Sequence, residues 1–345
     1  MDMMQGRPFS GKTLERIEKF LASLGLDYDD GVEMTVCACD EEGEVVATAS
    51  RQGAVLKCIG VSAAHQGEGL AASVVSEVVT DAIRAGLTHL FVFTKPSNRQ
   101  IFDDLGFFPM AETADVLLME NRRDGVKRFV ASLACPVRDG VIGAVVANCN
   151  PFTKGHRYLM ETAASQCDFL HVFVLSAEKS LFPAALRLEM ARRGVAHLKN
   201  VAVHPTGDYL ISAATFPDYF LKDKARAGDV KCELDLTIFA RCFAAPLHIT
   251  RRFVGTEPFS AVTERYNEAM KAFLPPLGVE VTEIPRCQAG GAPISATRVR
   301  ALLERGAPDE PELEELLPET TLELLRENRG RHGANEVGKE VRHAF

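Results

Sequence analysis

The hydrophobic pattern divides the chain into two halves of different periodicity. Residues 13–24 repeat apolar side chains at helical spacing, and 33–39 (EMTVCAC) alternate as a half-buried strand does. A turn at Asp40–Gly43 and a second run, Val45–Arg51, make a hairpin, and Val55–Val61 is a third strand. A glycine-bearing loop leads to a long helix, Leu70–Ala85. Strand Leu87–Thr94, a short helix Asn98–Leu105 and strands Phe107–Met110 and Val116–Met119 complete this half. From Val141 the order becomes strand, helix, strand, helix. Val141–Cys149, Phe169–Leu175, Val201–His204, Arg252–Val254 and Val279–Ile284 read as strands, and His156–Gln166 and Phe182–Leu198 as helices. Such alternation implies a parallel sheet covered on both faces. Ser295–Arg305 and Glu310–Leu325 are late helices.

The expected fold class is therefore α/β: an α+β domain over 1–121, a linker over 122–139, a doubly wound parallel-sheet domain over 140–327 and a flexible tail over 328–345. No run approaches the roughly 20 apolar residues of a membrane helix, and the first residues lack a secretion-signal pattern. A soluble cytoplasmic protein with no membrane partner is expected. Against 39 Lys and Arg stand 47 Asp and Glu. A net charge of −8 argues against a nucleic-acid partner. Nine cysteines without a C-x-x-C pair indicate neither a disulfide framework nor a zinc site, so no protein-held metal is expected.

The strongest chemical signal is Asn148–His156 (NCNPFTKGH), at the end of the first strand of the α/β half. Ligands bind at the carboxyl ends of parallel strands. The segment bends at Asn150-Pro151-Phe152 and enters a helix near Gly155, where unpaired N–H groups and the dipole favour a phosphate. Thr153 offers a hydroxyl, Gly155 a close backbone approach and His156 a ring N–H to an α-phosphate. A second helix start follows Pro293: Ser295 is a natural N-cap, Thr297 lies in the first turn, and Arg300 adds a planar cation. Two such starts suit a triphosphate held at both ends. Arg187 opens a helix after Phe182-Pro183, either touching a phosphate or lying in solvent. Lys154 has the same two options.

Thr153-Lys154-Gly155-His156 resembles the T/H-x-G-H motif of the nucleotidyltransferase superfamily, and Ile294–Arg300 (ISATRVR) its I-S-x-T-x-x-R motif. Their order, their separation by about 140 residues and the strand-turn-helix context make the pair specific. By that resemblance Gly255-Thr256-Glu257 faces the adenosine; otherwise it is an ordinary strand-end turn. In the first half, Gln66-Gly67-Glu68-Gly69-Leu70-Ala71 resembles the pyrophosphate loop of GNAT acetyltransferases, and Asn98 with Leu105-Gly106-Phe107 their later motif. No general base for acetyl transfer is evident there. The two halves then correspond to a GNAT-like domain and a HUP/Rossmann-like nucleotidyltransferase domain.

Their fusion resembles the citrate lyase ligase family, on 148–161 (NCNPFTKGHRYLME), 215–222 (TFPDYFLK), 252–259 (RFVGTEPF) and 293–300 (PISATRVR). The resemblance implies an AMP-forming acid-thiol ligase. Such an enzyme uses ATP with Mg²⁺ to convert acetate to acetyl-AMP and pyrophosphate, then acetylates the thiol of the CoA-derived prosthetic group on the acyl carrier (gamma) subunit of citrate lyase. His156, Thr153 and Arg300 are the candidate catalytic residues. Asn150, Pro151, Phe152, Gly155, Gly255, Thr256, Glu257, Ser295 and Thr297 are the candidate ATP contacts. Gln66, Gly67, Gly69, Ala71 and Asn98 are the candidates for the CoA-like arm. Three other readings stay open: an adenylyltransferase for a phosphopantetheine or nicotinamide nucleotide, a nucleotide- or acyl-CoA-sensing regulator without turnover, and an active protein or small-molecule acetyltransferase.

Overall fold

The computed structural model describes residues 1–29, 31–133, 136–137, 139–176, 180–210, 219–221, 226–257, 260–305 and 311–329. The 330–345 portion of the expected tail, 215–218 and 222 of TFPDYFLK, and Pro258-Phe259 lie outside the described residues. The chain divides into two compact units. One comprises Met1–Phe129 with Thr215–Ile238, the other Val130–Ala214 with Phe239–Phe345.

In the first unit, β1 (Asp2–Gly6), β2 (Met34–Cys39), β3 (Val45–Gln52), β4 (Val55–Val61), β5 (Phe91–Thr94), β6 (Phe108–Glu112) and β7 (Leu117–Glu120) form one sheet in the order β1-β2-β3-β4-β5-β7-β6. Helices α1 (Gly11–Ser23), α2 (Leu70–Arg84), α3 (Arg99–Asp104) and α4 (Gly125–Ala131) accompany it. Strand β1 was not expected: its five residues are short and largely exposed, and it exists through its antiparallel pairing to β2. Strand β2 is buried along its whole length rather than half-buried. Met34, Val36 and Ala38 join the core that includes Val74, Val75 and Val78 of α2, while α1 packs at β3 and buries Ile17, Phe20 and Leu21. Fully burying each such valine is worth about 1.5–3 kcal/mol. Helix α4 lies inside the stretch read as a linker.

Strands β4 and β5 are the one parallel pair among the described strands of this sheet, and they pair only at Val55↔Phe91 and Leu56↔Val92. Beyond Leu56 they no longer pair. A bulge at Cys58, with φ 52°, shifts the β3–β4 register between Thr48 and Ser50. The loops after β4 and β5 therefore leave the same edge of the sheet.

In the second unit, β8 (Ile142–Ala147), α5 (Lys154–Ala164), β9 (Phe169–Val174), α6 (Ala184–Gly194) and β10 (Val201–Pro205) follow in sequence. Helix α7 (Ala227–Ile238) then falls in the first unit. The chain resumes the second unit with β11 (Arg251–Gly255), α8 (Ala261–Phe273) and β12 (Glu280–Ile284). A small hairpin of β13 (Gln288–Ala289) and β14 (Ala292–Pro293) precedes α9 (Ala296–Arg305), α10 (Pro311–Leu316) and α11 (Glu319–Arg329). The last two divide near Pro318 what the periodicity presents as one helix, since proline cannot donate in a helix interior. The sheet order is β10-β9-β8-β11-β12, with every pair parallel. The chain moves outward from β8 to β10, then crosses to β11 on the other side. The topological switch point is therefore between β8 and β11, and the crevice beyond their carboxyl ends is the natural ligand position. Among the described residues no helix is long and apolar enough to cross a membrane.

Candidate functional site

Strand β8 ends at Ala147, directly before the T-x-G-H segment. Cys149 has φ 52°, and the Asn150-Pro151 peptide is cis. Phe152 is fully buried: it packs against Gly194 and stacks on the His156 ring at 5.8 Å. Its carbonyl accepts a 3.0 Å hydrogen bond from the buried Thr321 hydroxyl. Phe152 therefore anchors the loop to the core, and the buried Pro151 and Asn150 precede it.

Thr153 caps α5 and forms a capping box with His156. Its Oγ1 accepts from the His156 N–H at 3.3 Å, and its hydroxyl lies 2.9 Å from His156 Nδ1. The Thr153 backbone N–H donates to the same Nδ1 at 3.1 Å. A backbone N–H can only donate, so Nδ1 holds the lone pair and the ring proton sits on Nε2. The Thr153 hydroxyl is spent inside the loop, orienting His156. Burial, with the positive charge of Arg286 added, lowers the His156 pKa to about 4. The ring is thus neutral at pH 7 and carries an Nε2–H donor that meets no acceptor among the described residues.

The second helix start lies against the first. A Cβ on Gly155 would stand 3.3 Å from the Ile294 carbonyl oxygen, tighter than ordinary contact, so glycine permits the approach. Arg300 Nη1 donates to the Asn150 carbonyl at 2.7 Å, and its Nη2 to Thr297 Oγ1 at 2.9 Å. Ser295 Oγ accepts from the Arg298 N–H at 3.1 Å and caps α9. The first two N–H groups of each helix, at Lys154 and Gly155 and at Ala296 and Thr297, meet no acceptor among the described residues. The close approach of Gly155 to Ile294 and the Arg300–Asn150 hydrogen bond bring together two helix starts that lie far apart in sequence.

At the end of β11, Gly255 has open space where a Cβ would project, and its carbonyl accepts from Asn267 Nδ2 at 3.1 Å. The Thr256 N–H donates to the Ile284 carbonyl at 3.0 Å, and the Thr256 carbonyl accepts from Arg286 Nε at 2.6 Å. Glu257 is ion-paired with Arg286. Sequence reading missed Arg286, which links the β11 end to the field around His156. Its signal was an arginine two positions past β12, at the ligand edge of the sheet.

Arg187 does not lie in solvent, one of the two roles open to it in the sequence. It is completely buried on α6 and donates to the Phe182 carbonyl at 2.9 Å, the Asn148 carbonyl at 2.9 Å, Asn148 Oδ1 at 2.6 Å and the Leu175 carbonyl at 2.6 Å. It thereby ties the strand ends of β8 and β9 together beneath the loop. Asn150 Oδ1 accepts from the Phe182 N–H at 3.1 Å, a second tie of the same kind. Lys154 donates to the Glu314 carbonyl at 2.6 Å, fastening α5 to α10. The Cys149 thiol is buried and raised to about 12, so it is no thiolate nucleophile.

In the first unit, Gln66, Gly67 and Gly69 are exposed in the loop after β4, and Ala71 lies in the first turn of α2. Gly67 and Gly69 have φ 87° and 77°, which glycine adopts without strain. Asn98 follows β5, with Nδ2 donating to Thr94 Oγ1 at 3.0 Å. Both groups leave the carboxyl ends of the parallel pair β4–β5. The loop after β4 also leads into the N-terminus of α2, whose first N–H groups have no partner within the helix.

A parallel α/β unit with two helix starts at its switch point has the layout of a mononucleotide-binding fold, and the other unit carries a glycine loop after its fourth strand. The family model described as "Citrate lyase ligase C-terminal domain" matches residues 142–325. The chain is 42% identical over 294 residues to the citrate (pro-3S)-lyase ligase of Klebsiella pneumoniae, covering 84% of this chain and 86% of that one. It is 38% identical over 324 residues to that of Escherichia coli (strain K12), covering 91% of each. To that of Haemophilus influenzae it is 36% identical over 322 residues, covering 91% of this chain and 96% of that one. The chain belongs to the citrate (pro-3S)-lyase ligase family and is an enzyme, a ligase.

Proposed function

We propose that the enzyme activates acetate with ATP and passes the acetyl group to the thiol of the CoA-derived prosthetic group on the acyl carrier subunit of citrate lyase, switching the lyase on. In the first step a carboxylate oxygen of acetate attacks the α-phosphorus. The bond to the bridging oxygen breaks, and pyrophosphate leaves with its electron pair. In the second, the deprotonated thiol attacks the acetyl carbon and AMP departs, taking the oxygen that came from acetate. Adenylation is required because a carboxylate on its own has no competent leaving group.

The convergence of the two helix starts on a neutral, Nε2-protonated His156 carries this reading. Four N–H groups that meet no acceptor among the described residues, the His156 donor and the Arg300 cation form a cradle of one polarity, suited to phosphate oxygens. A neutral donor strengthens as negative charge builds and needs no proton transfer. Thr153, Gly155 and Ser295 position these donors. Gly255, Thr256 and Glu257 are assigned to the adenosine side, next to the same crevice. Mg²⁺ would enter with the nucleotide, held by the phosphates.

Gln66, Gly67, Gly69, Ala71 and Asn98 are assigned to the acceptor arm, with the pyrophosphate on the α2 start. A pyrophosphate-release assay with acetate, propionate and citrate, with and without the thiol-form carrier subunit, tests the whole assignment. Acetate-dependent release, with acetyl thioester formed only when the carrier is present, is the expected outcome. Release that needs a phosphopantetheine or nicotinamide nucleotide instead of acetate would assign an adenylyltransferase. ATP binding without release under any condition would assign a sensor.

A further inference from the structure

The first unit contains a cavity of about 460 Å³ that neither phosphate loop accounts for. Ligand sites typically measure about 300–1,000 Å³. Lys95 and Ser97, from the turn between β5 and Asn98, line one side, and Asp115, from the β6–β7 turn, lies beside them. The remaining wall comes from much later in the chain: Phe220, Arg226 and Val230. That wall is tied down. The Tyr219 carbonyl accepts from the Asp27 N–H at 3.0 Å, and the buried Tyr219 ring meets Phe220 edge-on at 5.3 Å.

The lining has a definite chemistry. Phe220 and Val230 are buried and apolar. Arg226 is balanced by Asp115 at 3.3 Å, whereas no described carboxylate pairs with Lys95. One side is thus apolar and the other supplies a hydroxyl and an ammonium that no carboxylate among the described residues pairs with. A linear chain of methylenes and amides satisfies both: methylenes lie on Phe220 and Val230, and amide carbonyls accept from Lys95 and Ser97. The cavity lies beside the carboxyl end of β5, where Lys95 and Ser97 follow the strand. The glycine loop proposed for the pyrophosphate leaves the same end of β4, the neighbouring strand.

We propose that this cavity seats the amide-bearing, thiol-terminated chain of the acceptor arm, with Phe220 and Val230 determining which chains fit. The inference rests on the reading of the first unit as the arm-binding unit.

The chain contains no tryptophan, so Phe220→Trp, which keeps an aromatic ring in the wall while enlarging it, creates a single tryptophan reporter in the cavity. The variant is titrated with dephospho-CoA, with pantetheine, and with apo and holo carrier subunit, while equilibrium dialysis measures binding to the unmodified enzyme in parallel. Saturable emission changes with dephospho-CoA, pantetheine and holo carrier, but not apo carrier, are expected. Val230→Phe, which narrows the cavity, should weaken pantetheine binding about tenfold or more (about 1.4 kcal/mol). Dialysis showing bound dephospho-CoA without any emission change, or with Val230→Phe binding normally, would overturn the cavity assignment while leaving the arm-binding reading intact. A response to free dephospho-CoA but not to holo carrier would overturn the acceptor assignment. Absence of binding by dialysis would overturn the arm-binding reading along with the cavity.

Discussion

Replacing His156 separates the two jobs the structure gives it. Its Nδ1 accepts from the Thr153 backbone at 3.1 Å and completes the cap of α5. Its Nε2–H is assigned to the α-phosphate. His156→Ala removes both. The Thr153 cap itself survives, since it accepts from the residue-156 backbone N–H; losing the reciprocal half of the capping box costs about 0.5–1 kcal/mol. Loss of a preorganised donor to developing charge costs about 2.7–4 kcal/mol, or roughly 100- to 1,000-fold in rate. His156→Gln behaves differently. Glutamine at this position can rebuild the capping box, and its amide nitrogen stands roughly where Nε2 does. Thermal unfolding and acetate-dependent pyrophosphate release should therefore both fall in the Ala variant and both partly recover in the Gln variant. The pH profile adds a second check. With the pKa lowered to about 4 by burial and Arg286, His156 stays neutral as the solution is acidified through its ordinary value of 6.5. A rate limb near 6.5 that vanishes in His156→Gln would refute the neutral-donor role. So would a Gln variant that regains stability but stays at the Ala rate.

Arg187→Met leaves the Asn148, Leu175 and Phe182 carbonyls without their donor. At about 1–3 kcal/mol for each unsatisfied buried acceptor, and allowing water to replace part, a loss of about 3–5 kcal/mol is expected in denaturant unfolding. A change under 1 kcal/mol would contradict the tie between β8 and β9. Gly155→Val places branched methyls against the Ile294 carbonyl, forces the two helix starts apart, and should raise the KM for ATP at least tenfold in steady-state kinetics. Gly69→Trp, at a φ of 77°, should slow thiol acylation far more than pyrophosphate release; equal loss of both would contradict the division of labour between the units. The buried pair His171 and His204, 3.1 Å apart, makes stability sensitive to acid. Burial lowers His171 to about 3, helped by His204, and His204 to about 4, helped by Arg192. Between about 4 and 6.5 the unfolded chain binds protons that the folded one does not, so stability is complete above 6.5 and declines as pH falls. His171→Leu should flatten that decline in thermal unfolding measured from neutral to acid pH.

The legible parts were those where periodicity and local capping chemistry agree. Strand β8, the Ser295 cap and the glycine loop after β4 lie where the pattern places them, because a strand end, an N-cap residue and a following apolar period constrain one another; the Thr153 cap was missed because its hydroxyl was read as a phosphate contact. Their convergence could be read only through the paired motifs. Arg187 was hidden because an arginine on a helix is normally exposed, and nothing local marks three carbonyls waiting for it. Strand β1 escaped notice because five residues with exposed side chains are a strand only in the company of β2. The placement of Tyr219–Val230 with the first unit is a contact across more than half the chain, which no local pattern encodes. For the same reason the cavity wall was invisible.

Acetate labelled with heavy oxygen in its carboxylate tests the central chemistry most directly. The enzyme is incubated with ATP, labelled acetate and thiol-form carrier subunit, and the products are examined by mass spectrometry. Attack of the carboxylate on the α-phosphorus moves one labelled oxygen into AMP, and pyrophosphate stays unlabelled. Label in phosphate or pyrophosphate, or AMP formed without it, would contradict the adenylate and the role assigned to the converged helix starts.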